Sequence, residues 1–176
     1  DLTGGSSTID GTNDPAAIQA LIGTANAAKA ELARLAAVNA ATDAYEMRTA
    51  LTAVAIAETD GYVDLTSQEK LEVAELVLVA RANETDEEFA NTTAVTTAIS
   101  TATSARSTFL TNVNGATSIS TMVTALDVAE FPEFQDLGDL EQVEVAELVL
   151  NALQELKADD PTAEFETIAA IKAAAG

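Results

Sequence analysis

The chain contains no cysteine, no histidine and no tryptophan, and only 4% of it is aromatic. Without cysteine there are no disulfides, thiol nucleophiles or zinc-thiolate sites, and without histidine there is no imidazole base and no Ser-His-Asp triad. Paired carboxylates could serve a glycosidase, but such an enzyme also needs a lined cleft, and two tyrosines with no tryptophan offer little to build one. No enzyme activity is expected. Cations are scarce: 8 Lys plus Arg stand against 29 Asp plus Glu, a net charge of −21. That balance repels nucleic-acid phosphates and anionic lipid heads, so neither is an expected partner. No apolar run approaches the ~18 residues of a membrane span, so no membrane insertion is expected.

What is present is apolar but small. Hydrophobic residues make up 48%, and alanine dominates them. At roughly 25 cal/mol per Å² each alanine adds little, so such a core needs long helices. The acidity suits solubility, divalent-cation association and tolerance of high salt, and a halophilic cytosolic protein would share it. The start at Asp1, without Met or an apolar leader, reads as a processed form or a piece of something longer.

The most informative feature is a repetition. Glu72-Val-Ala-Glu-Leu-Val-Leu78 returns unchanged as Glu144-Val-Ala-Glu-Leu-Val-Leu150, 72 residues later. Around it Val38-Asn39 matches Val113-Asn114, Met47 matches Met122 and Ala50-Leu51 matches Ala125-Leu126 at a shift of 75, while Phe89 matches Phe165 at 76. The changes of shift are expected in loops, where length varies freely.

Helix signals divide the chain. Residues 1–13 are rich in Gly, Ser and Thr and read as a tail. Asp14-Pro15 starts a helix whose stripe runs Ile18, Leu21, Ala25, Ala28, Leu32, Leu35 to about Ala41. Capping patterns at Asp43/Glu46, Thr66/Glu69, Thr85/Glu88 and Asp139/Gln142 predict further starts, and Asp160-Pro161 repeats the first. The second helix should end near Ala57. A second long stripe runs Phe89, Val95, Ile99, Ala102, Phe109, Leu110, Val113, and Phe131–Gly138 reads as a loop with buried aromatics. The expected fold is all-α: two tandem three-helix-bundle repeats of about 75 residues at 14–84 and 85–159, with 160–176 as a closing helix or the start of a third repeat. The expected core includes Leu51, Leu71, Val77, Leu78, Leu126, Val143, Val149 and Leu150. Glu72, Glu75, Glu144 and Glu147 read as a solvent-facing edge. A long helix shared between units would couple them rigidly.

The run Asn39-Ala-Ala-Thr-Asp-Ala-Tyr-Glu-Met-Arg-Thr-Ala-Leu51, then Val73-Ala-Glu-Leu-Val-Leu-Val-Ala-Arg81 and the long helix from Phe89, resembles helical repeats in surface proteins of Gram-positive Bacilli, which often carry S-layer-homology anchoring domains. The second unit departs from the pattern, with Val123 in place of Arg48 and Leu153 near the place of Arg81. The resemblance implies an extracellular, cell-surface, non-catalytic module: a spacer, lattice part or adhesive stalk. Its partners would be neighbouring repeats, copies of itself, or cell-wall and surface components. The acidic loops are the remaining candidates for chemistry. Glu58, Asp60 and Asp64 form the best Ca²⁺ cluster, without EF-hand spacing, which leaves a Ca²⁺-dependent adhesin and a self-assembling lattice or filament subunit as alternatives to the spacer. Asn83-Glu-Thr85 and Asn91-Thr-Thr93 match glycosylation acceptors, a pattern that arises easily by chance in a Thr-rich chain.

Overall fold

A computed structural model describes residues 15–53, 61–128 and 131–176. The tail, the end of the second helix near Ala57, Glu58 and Asp60 lie outside the described residues. Every regular element among those described is helical: α1 Pro15–Ala40, α2 Ala44–Ala53, α3 Ser67–Ala82, a 3₁₀ turn at Thr85–Glu87, α4 Thr92–Gly115, α5 Ile119–Leu126, α6 Pro132–Gln135, α7 Asp139–Asp159 and α8 Ile168–Ala175. The fold is all-α, as the apolar periods predict.

Two of the capping patterns hold. Thr66 accepts from the Glu69 backbone N–H while the Glu69 carboxylate accepts from that of Thr66, closing a reciprocal box at the start of α3. Asp43 accepts from the Glu46 N–H, but Glu46 reaches one residue further back, to the N–H and hydroxyl of Thr42. Three predicted starts move. Thr85 does not open the long helix. The chain turns sharply there, with Asp86 and Glu87 at φ 62° and 58°, and α4 begins seven residues later, capped by Asn91 onto the Ala94 N–H. Asp139 is the first helical residue of α7; its N-cap is Gly138, which has no side chain to cap with, so only the return bond forms, Glu141 accepting from the Gly138 N–H. Asp160 accepts the N–H and hydroxyl of Thr162, which makes a turn of Asp160–Thr162, so α8 waits for Thr167 as its cap and runs only eight residues.

The buried side chains form two clusters. The first joins Val38, Met47, Leu51, Tyr62, Val73, Val77 and Phe89 to Val95, Ile99 and Ala102. The second joins Phe109 and Val113 to Met122, Leu126, Phe131, Phe134, Val149, Leu150, Leu153, Phe165, Ile168 and Ile171. Helix α4 therefore feeds its first half into one core and its second half into the other. Phe131 stacks on Phe134 at 5.9 Å and meets Phe109 edge-on at 6.5 Å, so these aromatics are buried as expected, although Pro132–Gln135 forms the short helix α6 inside the stretch read as a loop.

Several expected core positions need correction. Val143 is 43% exposed, and Leu78 is only half-buried, packed against the first cluster. Leu51, Leu71, Val77, Leu126, Val149 and Leu150 are buried. On α1 the stripe reaches the core only at Leu35 and Val38; Ile18, Leu21 and Leu32 face solvent because none of the described helices lies against them. The last change of shift also falls inside a helix rather than in a loop. α3 spans 16 residues and α7 spans 21, an added turn at the C-terminal end.

Candidate functional site

Two kinds of polar contact among the described residues stand out in holding the helices together. The first occurs once per unit. Asn39, at the end of α1, donates from Nδ2 to the Phe89 carbonyl at 3.1 Å and accepts the Phe89 N–H at 3.0 Å. Asn114, at the end of α4, makes the same pair of bonds to Phe165, at 2.9 and 2.8 Å. An amide is the side chain that can satisfy both backbone groups of one residue at once. Each strap holds the segment that leads into the next helix, and each phenylalanine ring is buried below it. Basic side chains complete the ends. Arg81 donates to the carbonyls of Val38 and Asn39, and Lys157 donates to that of Asn114. These cations meet the negative end of a helix dipole. Lys157, one turn beyond Leu153, thus takes the role of Arg81, and the longer α7 is what carries it there.

The second contact occurs once among the described residues, where the two cores meet. Glu72 on α3 is 3% exposed, contrary to the expectation of a solvent-facing edge. Its Oε2 accepts from Nε of Arg106, mid-way along α4, at 2.8 Å. Its Oε1 accepts the backbone N–H of Ala169, in the first turn of α8, at 3.0 Å. The same guanidinium donates from Nη2 to the Glu166 carbonyl at 2.7 Å and pairs with Glu69 at 3.0 Å. One carboxylate therefore ties together three helices: it neutralises the buried arginine of α4 and caps an open amide at the positive end of α8. A buried charge is tolerable only when paired and hydrogen-bonded in this way.

Other charges line the same junction. The Thr66 backbone N–H, aided by Arg106, holds the Glu69 carboxyl below its usual range. On α8, Lys172 pairs with Glu133 at 2.9 Å and lies 5.6 Å above the Phe131 ring; its hydrogen bond draws the Glu133 carboxyl downward. Glu75, one turn beyond Glu72, behaves oppositely. Partial burial raises its carboxyl, with Glu72 and Glu133 reinforcing the rise and Lys172 opposing it. The residue as a whole is exposed, so the effect is modest.

An open groove of about 750 Å³ runs beside the junction, past Thr66, Glu69, Arg106, Asn114, Thr162 and Phe165. These six residues are already engaged. Arg106 is turned inward, Glu69 and Thr66 cap α3, Asn114 holds Phe165 and Thr162 closes its own turn. The arrangement fixes the relative placement of α3, α4 and α8.

The residues proposed for Ca²⁺ are not assembled by the described structure. Asp64 is exposed, Glu58 and Asp60 lie outside the described residues, and among the described residues no three Asp or Glu converge to hold a metal. No described helix is long and apolar enough to cross a membrane. Both glycosylation-type asparagines are engaged at helix ends, Asn83 donating to the Val79 carbonyl and Asn91 capping α4. The ion pair itself left one trace in the sequence. The α4 stripe Val95, Ile99, Ala102, Phe109, Val113 skips one turn, and the residue standing in the gap is Arg106. No family model, curated protein or solved structure matches this chain.

Proposed function

We propose that the chain is a non-catalytic structural spacer of an extracellular surface protein, built from helical units coupled end to end. The observation that carries this reading is α4, which supplies Val95, Ile99 and Ala102 to one core and Phe109 and Val113 to the next. A continuous helix through two cores resists bending between them, and the Glu72–Arg106–Ala169 clamp pins the same joint with buried polar bonds. The surface location rests on the resemblance carried by the helical patterns around Met47 and Val73, and the absence of cysteine and the strong acidity are compatible with it. Neighbouring units and cell-wall or surface components are the partners this role implies.

Small-angle scattering on a chain lacking residues 1–14 tests the reading. A compact protein of that shortened length has a radius of gyration of about 15 Å. A spacer should exceed that clearly and show a rod-like distance distribution; a compact profile would exclude the role. A second reading, a self-assembling lattice subunit, is favoured by the apolar side chains exposed on α1, Ile18, Leu21, Ile22 and Leu32. It requires concentration-dependent association that Leu21→Glu and Leu32→Glu abolish.

A further inference from the structure

The two heptapeptides are identical in sequence and differ in surroundings. In α3 the residues Leu71, Glu72, Val73 and Ala74 are all buried. In α7 their sequence counterparts Val143 and Glu144 are exposed, Val145 is half-buried and only Ala146 is fully covered. Leu148 is 50% exposed and Leu140 81%. The cover over α3 comes from the middle of α4, where Arg106 lies, and from the start of α8. Over α7 only the counterpart of the first two turns of α4 is present: Phe165 and Ile171 stand to α8 as Phe89 and Val95 stand to α4, at a shift of 76. At the end of α8 an apolar groove of about 330 Å³ opens between Phe131, Phe134, Leu137, Val145, Lys172 and Ala175.

We infer that this face of α7, from Leu140 to Leu148 with the groove beside Ala175, is the docking site for a further unit of the same design, entered by an arginine-bearing helix that prolongs the line of α8. The inference deepens the spacer reading, and rests on it, by naming the partner. Two observations choose the occupant. The established α7–α8 contact already reproduces the opening turns of α4 on α3, so the next turns of such a helix fall over the open groove. The exposed rim is acidic, with Glu141, Glu144 and Glu147, and among the described residues Glu144 has no ion pair. The longer α7 displaces Glu144 by one turn relative to Glu72. An arginine spans that distance, as Arg106 does in bridging Glu69 and Glu72. A second copy entering by α1 is less suited: at the shift of 75 its Glu31 stands where α4 has Arg106 and would bring a carboxylate to an acidic rim, and α8 already occupies the first part of the seat.

The test is a chain extended by joining a copy of residues 100–176 after Ala175, which continues α8 in phase and brings the copy of Arg106 over α7. Glu144→Gln is made in the original chain and in the extended one, alone and together with replacement of the copied arginine by methionine. Docking predicts no change of Tm in the original chain, a fall of about 5 °C or more in the extended chain, and loss of that difference once the copied arginine is gone. An unchanged Tm in both chains overturns the proposal. So does a dimer of the original chain, seen by sedimentation, that Leu148→Glu dissolves, because the seat would then belong to a second copy. Scattering on the extended chain separates the two ideas. Coupled units in a compact particle retain docking and remove the spacer; an elongated particle with no Glu144 effect does the reverse.

Discussion

Glu72 and Glu144 are the same residue in the same seven-residue sentence, yet one is buried against an arginine and the other faces water. Removing one partner of a buried pair leaves the other charged and unpaired, at about 3–5 kcal/mol. Glu72→Ala should therefore lower stability by that amount in urea unfolding, while Glu144→Ala in the same chain should stay within about 0.5 kcal/mol. Equal effects would contradict the burial difference. Among apolar residues, Leu51→Ala and Leu150→Ala should each cost about 2–5 kcal/mol, and the half-buried Leu78→Ala distinctly less. The carboxylates also shape the response to acid. Glu75 has a raised folded-state pKa, so its contribution is present at low pH and lost as pH rises through that value. Glu69 and Glu133 have lowered values, so theirs is present above the ordinary carboxylate range and lost as pH falls through the folded values. Acidifying from neutrality should thus first raise Tm and then lower it. Glu75→Gln should raise Tm at neutral pH and remove the initial rise, which thermal unfolding across pH will show.

At the level of helices, the sequence reveals which residues correspond and conceals how they bond. Val38-Asn39 and Val113-Asn114 stand out as a matched pair, and so do Phe89 and Phe165, but nothing local says that each asparagine straps its phenylalanine some fifty residues away. The same long-range strap explains two of the three displaced helix starts. Thr85 with Glu88 is a competent local cap, but Phe89 is pinned outside the helix by Asn39, so α4 can only begin after it. Phe165 delays α8 in the same way. Glu72 and Val143 depart from expectation for a related reason: their exposure depends on what the neighbouring unit lays over them, which a helical period does not encode. The shared helix itself supports a direct test. Ser104 is exposed and lies between Ala102 of the first core and Arg106. Ser104→Pro removes a helical hydrogen bond at a cost of about 3 kcal/mol or more. Calorimetry should then show one transition for the original chain and two, one per core, for the variant; a single transition at lower temperature for the variant would mean the cores are coupled by contacts other than α4.

For the molecule as a whole, the excess of negative charge matters most. With −21 on 176 residues the folded chain repels itself, and lengthening the screening distance from about 8 Å at 0.15 M salt to about 30 Å at 0.01 M makes that repulsion reach across the particle. Tm should rise with sodium chloride over this range. At matched ionic strength, calcium and EDTA should leave it unchanged, because a bound ion would stabilise by mass action and the described acidic residues do not converge on one. A calcium-specific rise reversed by EDTA would instead assign a site to the acidic loops.

The division of α4 between two cores has a practical corollary for anyone wishing to isolate one unit. The repeat in the sequence restarts near Thr85, after α3, which makes the loop the natural place to cut. A cut there strips Val95, Ile99 and Ala102 from the first core and leaves them on the second fragment as bare apolar surface. The folding unit and the sequence unit are out of phase by half a helix. An autonomous fragment would have to end inside α4, near Ser104, and begin inside α1, near Leu35, so that both of its boundaries are severed helices and neither is a loop.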